Sequence, residues 1–149
     1  MRAFLLFLTT IWVTSSVNAQ STEDSVKAAV NKLLAAMKES DADMLKTAFT
    51  DNAVMQTIKQ TKDGTTVTTE TIDQFAEAIK QIAKGDADEQ IVFETVKIDA
   101  TLASVWTPYK FYYKGKFSHC GVNSFQLVRI NGVWKIQYII DTRRKQGCN

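Results

Sequence analysis

The chain has 149 residues, with 18 Lys and Arg against 16 Asp and Glu, a net charge of +2. So even a balance gives no long-range positive field, which argues against nucleic acid and anionic membranes as partners, since both are recognised through clustered basic groups. The length supports one domain around one core and not two.

The N-terminus carries Arg2, an apolar run over 3–13, and small residues at Val17 and Ala19. This is the plan of a secretory signal peptide over 1–19, with cleavage expected between Ala19 and Gln20 and a mature domain over 20–149. A retained membrane anchor is the alternative, but the run is shorter than the roughly 20 residues a spanning helix needs, and Thr9 and Thr10 interrupt it. Gln20 stands where a lipoprotein would carry cysteine. The expectation is an exported protein, periplasmic or extracellular, with no membrane contact after cleavage.

Apolar residues then fall at Val26, Ala29, Val30, Leu33, Leu34 and Met37, the spacing of one helix face. Ser40 with Asp43 three residues on reads as a second helix start, carried by Met44, Leu45, Ala48 and Phe49. Residues 52–61 alternate like a strand, and Lys62, Asp63 and Gly64 turn it into a threonine-rich return over 65–69. Thr71 with Gln74 forms a capping box for a third helix through Ile72, Phe75, Ala76, Ile79, Ile82 and Ala83, with Gly85 as its stop. Four long antiparallel strands are expected over 90–99, 102–113, 118–130 and 134–141, with Asn131-Gly132 as the strongest hairpin signal. Pro108 marks an edge or bulge position within the second of these.

Two cysteines in a chain bound for an oxidising compartment are expected to pair, so Cys120 and Cys148 should tie the C-terminal tail to a strand. A catalytic thiol is the weaker alternative. The pair has the wrong spacing for a redox motif and too few ligands for zinc. Together these elements make an α+β domain in which helices close one side of a long bent sheet and leave a pocket, where ligands commonly bind.

The order helical hairpin, strand, helix, then meander resembles the nuclear transport factor 2-like superfamily, which includes ketosteroid isomerases, scytalone dehydratase and SnoaL-like polyketide cyclases. The runs ASVWTPYKFY (103–112), HCGVNSFQLV (119–128), GVWKI (132–136) and DTRR (141–144) are similar to its lumazine-binding-like branch, over about residues 23–148. The resemblance implies a cone-shaped fold with N-terminal helices packed on a strongly curved antiparallel sheet. It implies no single activity, because members of one fold do unrelated work.

Two residues are candidates for proton transfer. His119 is the chain's one histidine, suited to moving protons near neutral pH; equally, it could be a structural residue at a strand start. Asp141 follows Ile139 and Ile140, and burial could raise its pKa for use as a base; alternatively Arg143 or Arg144 pairs with it. A two-residue Asn131-Gly132 turn places His119 on the face of Ile136, Tyr138 and Ile140, and Asp141 on the opposite face with Cys120, a conclusion that one bulge would reverse. The basic run Arg143, Arg144 and Lys145 reads as a solvated end to the last strand.

Trp106, Tyr109, Phe111, Tyr112, Phe125 and Tyr138 could stack a flat ligand, or serve as ordinary sheet-face aromatics. If the turn at Gly115 spans three residues, Tyr109 and Phe111 share a face with His119, Asn123 and Phe125. The candidate ligand wall is therefore Trp106, Tyr109, Phe111, His119, Asn123 and Phe125. No phosphate loop, carboxylate pair or metal-ligand cluster is evident, so no cofactor or metal is expected. Three functions remain open: an exported module binding a small apolar or aromatic molecule, a cofactor-independent lyase or isomerase using Asp141 or His119, and a homodimerising structural domain.

Overall fold

The computed structural model describes residues 15–148, with side chains from residue 21 onward. The expected signal peptide therefore lies mostly outside the described residues. Helices α1 (Ser15–Glu39) and α2 (Ala42–Thr47) lead into strands β1 (Phe49–Thr61) and β2 (Gly64–Glu70). Helix α3 (Ile72–Lys80) follows, then β3 (Ala87–Ile91), β4 (Thr95–Asp99), β5 (Leu102–Tyr113), β6 (Lys116–Ile130) and β7 (Val133–Thr142).

The apolar stripe of α1 is buried at Val26, Val30, Leu33 and Met37. Ser40 closes this helix rather than opening the next. Its φ is +56°, and the bonds from Ser40 N to Met37 O and from Asp41 N to Ala36 O complete a left-handed C-terminal cap. Asp41 takes the N-cap of α2, its carboxylate accepting from Met44 N at 2.8 Å, and Phe49 already belongs to β1. The capping box of α3 forms as expected between Thr71 and Gln74. That helix stops at Lys80, ahead of Gly85, and leaves Ile82 in the turn beyond it.

The strands form one sheet in the order β2-β1-β7-β6-β5-β3, with β4 also on β5 and β1 parallel to β7. The strand expected over 90–99 is two strands, β3 and β4, both paired to β5. Between them Val92 N bonds Pro108 O and Glu94 N bonds Trp106 O. A strand residue's N–H and C=O point the same way, so the donor Pro108 lacks falls where the partner strand breaks.

Two one-residue bulges decide which side chains face the helices. Lys114-Gly115 is a two-residue turn, not three, because Tyr113 pairs with Lys116. The register then slips at Ser118, so that Phe111 pairs with His119, and the shared face expected for Tyr109, Phe111, His119 and Asn123 arises by a different route. In β7 the pairing moves from Leu127–Ile136 to Gln126–Tyr138, leaving Gln137 unmatched. Thr50 Oγ1 donates to Gln137 Oε1 at 2.9 Å, and Gln137 Nε2 donates to Asn52 O at 3.1 Å. This bulge corrects the uninterrupted register: Asn123 pairs with Asp141, which stands on the face of His119 and not of Cys120.

The inner face thus has two halves. Near the Asn131-Gly132 turn it is apolar, with Ala103, Val105, Phe125, Leu127, Trp134, Ile136 and Ile139 packed against α1 and α2. Beyond lies a row across four strands, Thr107, Asn123, Asp141 and Thr57, and all four are buried polar side chains. The disulfide joins Cys120 to Cys148, with Cα atoms 5.8 Å apart.

Candidate functional site

Past the polar row the helices and sheet part to leave a cavity of about 240 Å³. Leu33, Met37, Phe75, Ile79, Ile82 and Ile139 make one wall apolar, while Glu89, Tyr109, His119, Asn123, Asp141 and Arg143 make the opposite end polar. A cavity of about 150 Å³ is enough for benzene, so this one accommodates a substituted or fused aromatic ring. A larger groove of about 550 Å³ runs outside, past Pro108, Val122 and Cys148, and lacks the inner cavity's Glu89 and Asp141 carboxyls.

The polar end is a connected network. Asp141 Oδ2 accepts from Arg143 Nε at 2.8 Å and from the Tyr109 hydroxyl at 3.1 Å. The same hydroxyl lies 2.9 Å from Thr142 O, and Arg143 Nη2 donates to Thr57 Oγ1 at 3.2 Å. Tyr109 reaches this far because its cross-strand neighbour is Gly121. A Cβ there would stand 1.7 Å from Thr142 O and 2.8 Å from the Tyr109 ring, so only glycine lets the ring lie across β6. Burial, then the charge of Asp141, pushes the Tyr109 phenol well above its ordinary range, which keeps it a hydrogen-bond donor. Burial works against the Arg143 charge, but the Asp141 hydrogen bond and charge more than restore it.

Glu89, on β3, is the residue that sequence reasoning missed. Its Oε1 accepts from Asn123 Nδ2 at 2.8 Å. Burial pushes its pKa up to about 7, with the Asn123 hydrogen bond and Arg143 opposing and Asp141 reinforcing the rise. The expected strand began at residue 90 and left Glu89 in a loop. The signal was the alternation Ala87, Glu89, Ile91, which places a carboxyl in the middle of an inward-facing row.

Of the candidate residues, Tyr109, Phe111, His119, Asn123 and Asp141 line the cavity. His119 sits against Phe111, with ring centroids 5.0 Å apart, and Ser118 Oγ lies 3.1 Å from its Nδ1. Burial, then Arg143, lowers its pKa, so the ring is neutral at neutral pH. Two candidates do not line it. Trp106 projects from the outer face, 46% exposed, and Phe125 is fully buried in the apolar core. Among the described residues no group of three or more His, Cys, Asp or Glu could hold a metal ion.

Similarity to known proteins fits this architecture. A protein of the same fold from Shewanella baltica, of unknown function, superposes with a TM-score of 0.67 at 16% identity, covering 90% of this chain and 100% of its own. A function-unknown protein from Mycobacterium tuberculosis gives a TM-score of 0.69 at 14% identity, over 89% of this chain and 78% of its own. A structure from Streptomyces avermitilis named as a putative dehydratase of the NTF2-like family gives 0.62 at 14% identity, over 85% and 98%. No curated protein matches. The family model described as "Putative lumazine-binding" matches residues 21–138, and the chain belongs to that family, within the NTF2-like fold.

Proposed function

We propose that this chain is an exported small-molecule-binding domain whose ligand occupies the inner cavity, its flat apolar part against Phe75, Ile79, Ile82 and Phe111 and its polar atoms toward Glu89, Asn123 and His119. The observation that carries this reading is the composition of the cavity itself: a buried apolar wall facing a few convergent polar groups is the usual form of a ligand site. Family membership supports ligand binding, and the NTF2-like neighbours support the enclosing fold. Export is supported by Arg2 with its apolar run and by the Cys120–Cys148 bond, which suits an oxidising compartment. Native mass spectrometry of the protein purified from its own host, compared with its denatured mass, tests it together with a thermal-shift screen of aromatic and heterocyclic compounds. A non-covalent companion, or a compound that raises the melting temperature, is expected. A clean mass with no shift from any compound would overturn the reading.

Glu89 favours a second reading, a cofactor-independent dehydratase or isomerase, and the Streptomyces neighbour's name points the same way. A carboxyl with a pKa of about 7 facing a cavity can both take and return a proton near neutral pH. Asp141 is committed to Arg143 and Tyr109, so this reading moves the proton-transfer role from Asp141 to Glu89. Its test is a substrate turned over by the native protein with a pH–rate profile that breaks near pH 7, and lost in Glu89→Gln; turnover unchanged in that variant would refute it.

A further inference from the structure

We propose that the cavity's ligand is a small organic acid, held with its apolar body inside and its anionic group in a basic vestibule at the cavity's edge; this rests on the binding reading above. A second depression, of about 510 Å³, is lined by Lys59, His119, Arg143, Arg144 and Lys145, together with uncharged residues including Ser118. His119 and Arg143 are walls of both spaces, which sets the vestibule directly beside the cavity. Among the described residues lining the vestibule none is acidic.

The clustering is produced by the fold, and sequence shows only part of it. Parallel pairing of Ile58 with Thr142 brings Lys59 beside Arg143, from a strand more than eighty residues earlier in the chain. The bridge between Cys120 and Arg144, reinforced by the Cys120–Cys148 bond, holds the tail against the start of β6 and fixes Arg144 and Lys145 at the rim. Four cations converge here on a chain whose total charge is only +2. Lys59, Arg144 and Lys145 take no part in the ion pairs among the described residues, whereas Arg143 is already engaged with Asp141 through Nε. The lowered proton affinity of His119, caused first by burial and then in part by Arg143 and Lys145, is consistent with a positive field at this junction. Such a site discriminates by charge, attracting an anion whose apolar remainder the inner wall can bury.

The experiment titrates the purified protein calorimetrically with 4-phenylbutanoate and 2-naphthoate, each against its own neutral amide, in low and high salt. Each acid is expected to bind about tenfold more tightly than its amide at low salt, the advantage shrinking as salt screens it. The double variant Lys59→Gln/Lys145→Gln alters two exposed side chains, so folding should be unaffected. It is expected to remove most of the acid's advantage and leave the amides' affinity unchanged. Acids and amides binding equally, or an advantage that survives in the double variant, would overturn the anionic-ligand proposal and leave the cavity reading standing. Binding of none of the four would overturn the anionic-ligand proposal, and the cavity reading would fall with it only if the thermal-shift screen and native mass spectrometry were also negative.

Discussion

Replacing Glu89 by Gln should change how folding stability depends on pH. In the unfolded chain this carboxyl titrates near 4.5; in the folded protein burial raises it to about 7. The folded state therefore holds the proton more tightly, and its stability advantage is full below about pH 4.5 and is lost as pH rises through 7. At about 1.4 kcal/mol per pH unit the loss amounts to about 3 kcal/mol, with the opposing hydrogen bond from Asn123 already contained in the folded-state value. Glutamine keeps a carbonyl oxygen for Asn123 Nδ2 and carries no charge at any pH. Urea unfolding of both proteins between pH 4 and 8 isolates the effect, because titration of groups not coupled to Glu89 cancels in the difference. The variant is expected to gain on the native protein steadily between about pH 4.5 and 7 and to hold a constant lead above. A difference independent of pH would refute the buried-carboxyl account and with it any role for Glu89 in moving a proton.

Gly121→Ala should destabilise the fold by about 3 kcal/mol, since the new methyl collides with backbone at Thr142 and with the Tyr109 ring; denaturant unfolding measures it, and a loss under about 0.5 kcal/mol would mean that the ring does not lie across β6. Removing the disulfide with Cys120→Ser/Cys148→Ser should cost about 3 kcal/mol for a separation of 28 residues, read from the same experiment; an unchanged midpoint would show that the tail docks without it. Thr107→Val should stabilise by about 1 kcal/mol, because Thr107 Oγ1 is buried with no hydrogen-bond partner; a clear loss of stability would show that the hydroxyl is hydrogen-bonded in solution.

The helices and the Asn131-Gly132 hairpin were legible in sequence because their signals are local: three-and-four spacing, a capping box, and a dipeptide that tolerates positive φ. The fold followed from their order and from resemblance. What sequence did not carry was the facing of side chains at the site. That depends on extra residues at Ser118 and Gln137, and neither is a glycine or proline that would announce a bulge. Simple alternation from the hairpin therefore separated Asp141 from His119, although both line the cavity. Trp106 looked like a ligand-stacking ring and stands on the outer face because its position in β5 has the wrong parity. Glu89 escaped because the break in the first long strand, opposite Pro108, hid where β3 begins.

The unmatched Gln137 gives β7 two independent phases. Before it, even-numbered residues Trp134 and Ile136 belong to the core; after it, odd-numbered Ile139, Asp141 and Arg143 point the same way. Were Gln137 instead paired in an unbroken ladder, the core half would stay in place and the site half would present Ile140 and Thr142, turning the carboxylate and the guanidinium away together. A single insertion thus separates what the strand contributes to folding from what it displays to a ligand, and relatives that keep the first while altering the second need change only the residues beyond it.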